Sequence, residues 1–104
     1  NAVGYNAAIS ACENGREWRL AIRLLTKMPS AHLGPDARSF NAAISACEKS
    51  AQWPPALGLL AEMAHGGPHP TAVSYNAAVS TCEKARQWHL ALRLLAEMPG
   101  TRLE

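Results

Sequence analysis

The sequence predicts an all-α protein, and two observations support that prediction. Of its 104 residues, 20 are alanine and 12 are leucine, whereas valine and isoleucine supply only three each. Alanine and leucine are strong helix formers, and the shortage of β-branched residues argues against a sheet. The second observation is an internal repeat, because five columns of residues recur at intervals of 35 along the chain. The columns are Tyr5, Phe40 and Tyr75; Asn6, Asn41 and Asn76; Cys12, Cys47 and Cys82; Trp18, Trp53 and Trp88; and Met28, Met63 and Met98.

The repeat divides the chain into three predicted units, residues 2–36, 37–71 and 72–104, of which the third is two residues short. The first and third units are identical at 19 of 33 aligned positions without an insertion. A fixed period of this length is typical of stacked repeats, in which each unit buries its apolar surface against its neighbours. We therefore expect one continuous array of six helices, with no domain boundary.

The first helix of each unit carries its apolar residues on one face. In the first unit, Tyr5, Ile9 and Cys12 follow helical spacing. The first helices are expected to end near residues 14–15, 49–50 and 84–85. Because hydroxyl side chains are favoured at helix starts, Ser39 and Ser74 are expected to cap the N-termini of two of them. Gly4 fills that role less well in the first unit.

The second helix of each unit is expected to begin at its tryptophan and to be held between neighbours, since it is apolar on more than one side. Pro29 and Pro99 are expected to stop this helix directly after the methionine. In the middle unit, Pro54 and Pro55 fall in the first turn, where proline is tolerated. Gly58 lies inside the same helix and costs about 1 kcal/mol relative to alanine, so the middle unit is expected to be the weakest.

Composition excludes several classes of protein. No apolar stretch approaches the length of a membrane span, and no signal peptide opens the chain. The net charge is +2 with a pI near 8.6, which permits a polyanionic partner without requiring one. Three cysteines are an odd number, which argues against a disulfide framework and for a reducing compartment. Because the chain begins with Asn1 and not with Met, we expect it to be a piece of a longer protein.

The first helices, with the sequences SFNAAISACEK and SYNAAVSTCEK, resemble the pentatricopeptide repeat family. The shared pattern is a small residue, Tyr or Phe, Asn, an apolar run, Cys and Lys. The second helices add a Glu-Met ending at residues 62–63 and 97–98, and the first unit closes on Pro35 and Asp36. The resemblance covers almost the whole chain. It implies a right-handed α-solenoid that binds single-stranded RNA along its concave face, at about one base per repeat.

The resemblance also implies which residues contact the bases. In the family, the fifth residue and the last residue of a repeat select the base. An Asn with a closing Asp implies uridine, and the other two units imply pyrimidines. The base-reading residues are then Asn6, Asp36, Asn41, Thr71 and Asn76. An Asn amide suits this role because it offers both a donor and an acceptor to a base edge.

Two further sets of contacts follow from the same resemblance. The second residue of each unit is expected to wedge between bases, which assigns that role to Val3, Arg38 and Val73. Of these, Arg38 departs from the apolar pattern, although a guanidinium can stack on a base or meet a phosphate. Lys49 and Lys84 are expected to face the RNA backbone. In the first unit Asn14 takes the lysine's place and loses one phosphate contact.

The remaining columns are better explained by packing than by chemistry. Free cysteines at this spacing do not match a zinc signature and are expected in the core, as are the methionines. The tryptophans could stack on bases, but their place at the start of the second helix favours packing. The four histidines share no repeat position and are expected to be solvated. They are His32, His65, His69 and His89.

No motif points to an enzyme, a metal site, a cofactor or a small-molecule substrate, since phosphate loops, nucleophile–base pairs and deaminase signatures do not occur. The resemblance implies a role in RNA processing, editing, stability or translation in a chloroplast or mitochondrion, although no transit segment is visible. Two alternatives stay open. One is a protein–protein scaffold, because helical solenoids also bind peptides in their grooves. The other is a spacer array with little affinity of its own.

Overall fold

The structure is a computed structural model that describes residues 2–30 and 34–98, and the regular elements among them are helices without any strand. Each tryptophan of the 35-residue repeat begins the second helix of a pair, as predicted. The order is α1 (Ala2–Asn14), α2 (Trp18–Ser30), α3 (Ala37–Lys49), α4 (Trp53–Ala64), α5 (Ala72–Lys84) and α6 (Trp88–Glu97). The all-α helical-repeat fold is thereby confirmed. The unit boundaries and the handedness of the superhelix stay predictions.

The N-termini of α3 and α5 correct the predicted caps. Asp36 and Thr71 are the N-cap residues, and each side chain accepts a hydrogen bond from the backbone N–H three residues later. Ser39 and Ser74 complete a capping box by accepting from the backbone N–H of the cap residue. The prediction that the serines are the N-caps is wrong because the helices begin earlier, at Ala37 and Ala72. A serine hydroxyl suits the third helical position of a capping box as well as the N-cap, so the serine alone does not mark the helix start.

The turn from the first to the second helix of a pair has the same geometry three times. After α1, the backbone N–H of Glu17 donates to the Cys12 carbonyl and that of Arg16 to the Glu13 carbonyl, which is the Schellman pattern. Its left-handed position holds Arg16 with φ 59°, and the equivalent residues are Ala51 with φ 54° and Arg86 with φ 61°. Glycine suits this position best, and Gly15 lies one residue too early to fill it.

The end of α2 corrects a second prediction. The helix continues through Pro29 to Ser30 and does not stop after Met28. A proline in the last turn lacks only its own N–H donor, so the helix loses one hydrogen bond there. The helix can therefore include the proline and one more residue. In α6 the helix ends at Glu97 with Met98 as its C-cap, and Pro99 lies outside the described residues.

The helices form two layers. Among the described residues, the first helices contact one another in the order α1, α3, α5, whereas the second helices α2, α4 and α6 contact only first helices. Small side chains allow the close approach, because Ala43, Ala46 and Ala78 are completely buried along this layer. The stack measures 44 × 26 × 16 Å, an elongated shape that follows from adding helix pairs in one direction.

One continuous apolar core runs along the stack, from Ile9 in α1 to Leu94 in α6. The cysteine column is buried throughout, as predicted, and so are Met28 and Met63, while Met98 is half-buried. No helix among residues 2–30 and 34–98 is long and apolar enough to cross a membrane.

Two of the three repeated tryptophans pack against the core. Trp18 and Trp53 are half-buried against the core, but Trp88 is 61% exposed and stacks on the neighbouring His89 ring instead. The prediction of packing is therefore wrong for Trp88. The reason is that α2 and α4 each contact the following first helix, whereas the described part of the chain has none after α6.

Candidate nucleic-acid interface

The predicted base-reading pair of the first unit is joined through a serine of the following helix. Asn6 lies in α1, and Asp36 is the cap of α3, which packs directly against α1. The Ser39 hydroxyl lies within donating distance of two acceptors, Asn6 Oδ1 at 2.6 Å and Asp36 Oδ1 at 3.0 Å. The structure thus brings Asn6 and Asp36 together, with the Ser39 side chain between them.

The second predicted pair repeats this arrangement one helix further along the stack. The Ser74 hydroxyl donates to Asn41 Oδ1, and Asn41 Nδ2 donates to Thr71 Oγ1 at 3.4 Å. Ser74 is completely buried, and Asn41 is half-buried. A buried hydroxyl requires hydrogen-bond partners, and the Asn41 side chain is one of the partners of Ser74. This hydrogen bond fixes the position of the Asn41 amide.

Asn76 occupies the same position in α5 but is exposed. The described part of the chain has no first helix after α6, so no serine there takes the place of Ser39 or Ser74. Among the residues that the structure describes, two of the predicted reading pairs are therefore brought together, and Asn76 lacks the equivalent contact.

The serine determines which end of each amide is left for another partner. A hydroxyl has a single proton, and the Ser39 oxygen already accepts from the backbone N–H of Asp36. The shorter of the two contacts through which this proton can be donated is to the Asn6 carbonyl oxygen, at 2.6 Å against 3.0 Å to Asp36 Oδ1, so the Nδ2 hydrogens stay available. Asp36 Oδ1 accepts from the Ser39 backbone N–H at 3.0 Å, which leaves the second carboxylate oxygen as an acceptor. The site thus offers a donor and an acceptor from neighbouring helices.

Asp36 is held in its charged form. The backbone N–H of Ser39 is the main cause that lowers the pKa of the carboxyl, against a smaller desolvation effect that raises it. The Ser39 hydroxyl and the Arg38 charge lower the pKa further. At neutral pH the side chain is therefore an ionised acceptor.

The predicted wedge residues occupy one register, the second position of each first helix. Val3 is 78% exposed and Val73 is 59% exposed, and Arg38 is exposed as well. Exposed valines at the same point of two helices are available to contact a planar ligand. Single exposed apolar residues are common on protein surfaces. The shared register of the two valines is therefore the feature that favours a role in ligand contact.

The two predicted backbone lysines differ in their surroundings. Lys49 is exposed at the end of α3, as is Asn14 at the end of α1. Lys84 Nζ instead lies 3.4 Å from Glu48 Oε2, and the same carboxylate oxygen accepts from the Ser80 hydroxyl at 2.8 Å. An exposed ion pair of this kind is worth about 0–1 kcal/mol, so a phosphate can compete for Lys84.

The cysteines and histidines fit the structural roles predicted for them. Burial raises the pKa of all three cysteine thiols, and that of Cys47 reaches about 12, so they stay neutral at physiological pH. The described residues contain no group of three or more His, Cys, Asp or Glu side chains that could hold a metal ion. His65, His69 and His89 are exposed, as predicted, and His32 lies outside the described residues.

Sequence reasoning found the Asn column but missed the residues that hold it. Ser39 and Ser74 were visible as repeated hydroxyls, yet their second bond joins residues 33 apart and depends on how successive helices stack. Glu48 was missed for the same reason, since its partners Ser80 and Lys84 belong to the next first helix. The equal spacing between the Asn and Ser columns is the sequence signal that could have paired them.

Comparison with known families identifies the repeat. A family model described as a pentatricopeptide repeat domain matches residues 1–50, and a second, described as a PPR repeat, matches residues 73–100. A search of curated proteins finds no match. Proteins of this family are helical-repeat proteins that generally bind RNA, are generally not enzymes and are typically organellar. The fold and these two matches show that the chain belongs to the pentatricopeptide repeat family.

Proposed function

We propose that the chain binds single-stranded RNA and selects bases through its Asn column. The preference is uridine at Asn6 and Asp36, a pyrimidine at Asn41 and Thr71, and a pyrimidine at Asn76. One observation carries the proposal: the same hydrogen-bonded group of Asn, Ser and cap residue occurs at two successive first helices.

The donor and acceptor of the first site match the edge of uracil. Uracil presents carbonyl acceptors beside its N3–H donor, which complement the Asn6 amide hydrogens and the free oxygen of Asp36. RNA-binding proteins recognise unstacked bases on this edge. Thr71 has a hydroxyl that can either donate or accept, so the cap residue of the second site does not by itself distinguish cytosine from uracil.

The flanking residues supply the contacts that do not depend on sequence. Val3 and Val73 are exposed at the right register to pack on base faces, and the Arg38 guanidinium can stack there or meet a phosphate. Lys49 and Lys84 lie at the ends of their first helices, where they can neutralise phosphates. Asn14 lacks that charge, so the first site binds the backbone less well.

The family supports a proposal for the cellular role. We propose that the chain acts in RNA processing, editing, stability or translation in a chloroplast or mitochondrion, as a binding module without a cofactor or catalytic residues of its own. Any chemical step on the RNA would then belong to another protein or domain.

The experiment that tests the proposed function is an NMR titration with short homopolymers. Three sites give weak binding, because a stacked base contributes only about 1–3 kcal/mol, and NMR detects such complexes. Oligo-U is expected to shift the amide signals of α1, α3 and α5 at lower concentration than oligo-A, with an affinity that falls as salt rises. An Asn6→Ala, Asn41→Ala variant is the control. Equal responses to all homopolymers reject base selection.

A further inference from the structure

Ser39 and Ser74 have a feature that helix capping does not require. Each hydroxyl accepts from the backbone N–H of its own cap residue, and this bond belongs to the capping box. Each also donates to the Asn side chain of the preceding first helix, at 2.6 Å for Ser39. Both serines are completely buried and the two Asn residues are half-buried, so the bond to the Asn is partly shielded from water. One hydroxyl therefore links a helix start to the amide of the neighbouring site.

We infer that Ser39 and Ser74 are positioning residues that set the base preference of the preceding site, which rests on the RNA binding proposed above. An Asn amide can turn about its last side-chain torsion and present either its oxygen or its nitrogen, because that torsion has broad, nearly two-fold minima. The serine removes this freedom by holding Oδ1. The outward group is then Nδ2, which selects a carbonyl on the base.

The consequence is a preference within the pyrimidines. With Nδ2 outward, the amide meets the O4 carbonyl of uracil but opposes the N4 amino group of cytosine, since both are donors. With the serine removed, the amide can turn and offer Oδ1 to cytosine. The specificity of each site thus depends on three residues, and the third belongs to the next helix pair.

The test is a pair of matched variants, Ser39→Ala and Ser74→Ala, titrated by NMR with oligo-U in which one position at a time is cytidine. Ser39→Ala is expected to lower the preference for uridine over cytidine at the Asn6 nucleotide by roughly fivefold, the effect of one net hydrogen bond. The Asn41 nucleotide is unchanged. Ser74→Ala gives the reverse pattern. The two positions are identified beforehand with Asn6→Ala and Asn41→Ala.

A role in capping alone predicts a different result. Loss of the capping box lowers the stability of α3 or α5 and weakens RNA binding at every position alike, and that outcome overturns the inference. Ser39→Thr retains the hydroxyl and is expected to retain the preference, which separates the hydrogen bond from a general change in the fold. Urea unfolding of each variant checks that it is folded.

The two hypotheses fail in different ways. If the unsubstituted chain shows no base preference at any position, the proposed function fails and the inference fails with it. If the unsubstituted chain prefers uridine and Ser39→Ala and Ser74→Ala retain that preference, base selection stands and the positioning role of the serines is wrong.

Discussion

At the scale of single residues, Asp36 combines a structural and a proposed functional role. Its carboxylate caps α3 through the backbone N–H of Ser39, and it lies beside the Asn6 amide. The same hydrogen bonds that lower its pKa make it an ionised acceptor at neutral pH. A single side chain thus ties the start of a helix to the chemistry of the neighbouring site.

The lowered pKa of Asp36 predicts how stability depends on pH. A carboxyl whose pKa is lower in the folded state stabilises the fold above its unfolded pKa, about 3.9. That contribution is lost as the pH falls through the lower folded pKa. We predict that Asp36→Asn, which keeps a good capping side chain without titrating, shows a smaller loss of unfolding free energy on acidification.

Urea unfolding from about pH 5 down to about pH 2 measures this effect. The matched control is Thr71→Asn, because Thr71 caps α5 in the same way but does not titrate. That variant is expected to lose stability with pH as the unsubstituted chain does. Identical pH dependence for Asp36→Asn and the unsubstituted chain contradicts the role assigned to the Asp36 charge.

The residue columns show what sequence could predict at this scale. Burial of the cysteines followed from their recurrence on one helix face, whereas the N-cap residues were misassigned to Ser39 and Ser74. The partners of Ser39 and Lys84 did not follow. Hydrogen bonds across a helix stack depend on the distance and rotation between helices, and the 35-residue period does not specify either.

At the scale of the elements, the helix starts and the turns were predicted unequally well. A tryptophan marks the start of each second helix because the apolar period resumes there, and this held for α2, α4 and α6. The starts of α3 and α5 were misplaced because capping boxes place polar side chains at two positions three residues apart. Sequence alone did not distinguish the cap from its partner.

The middle helix pair offers two stabilising substitutions, one in its Schellman turn and one inside α4. Ala51 has φ 54°, where an L-residue costs about 1–2 kcal/mol, so Ala51→Gly is expected to stabilise the fold by about 1 kcal/mol. At Gly58, within α4, the space that an alanine methyl group would occupy is open, so Gly58→Ala is expected to add about 1 kcal/mol as well. The two changes exchange the same residue types in opposite directions.

Chemical unfolding measures both effects, with Ala61→Gly as the control. Ala61 is exposed within α4, so its replacement by glycine is expected to destabilise the fold by about 1 kcal/mol. If Ala51→Gly destabilises as Ala61→Gly does, the turn does not carry the strain that its backbone angle indicates.

At the scale of the whole molecule, the order of helix contacts places the predicted site. Within the described part of the chain, first helices contact one another and second helices do not, so residues at one register of α1, α3 and α5 line up along a single layer. The Asn column, the cap residues and the wedge residues all belong to this layer. A linear polymer with a repeating unit fits such an arrangement better than a compact ligand does.

The same stacking explains why the third helix pair differs from the other two. Trp88 and Asn76 are exposed, whereas Trp53 and Asn41 are half-buried by contacts that follow from the next first helix. The repeat in the sequence is nearly uniform, but burial depends on neighbours. The repeat pattern therefore could not predict that equivalent residues differ in burial.

The most direct test of base selection is a change in the selected base. Asn6→Thr is expected to move the preference of the first site from uridine toward guanosine, while the other two positions keep their pyrimidine preference. The measurement is a competition titration with oligonucleotides that vary at one position, and Ser10→Thr, an exposed change in the same helix, is the control. A shift confined to one nucleotide in Asn6→Thr supports base reading by the Asn column. An unchanged preference at that nucleotide contradicts it.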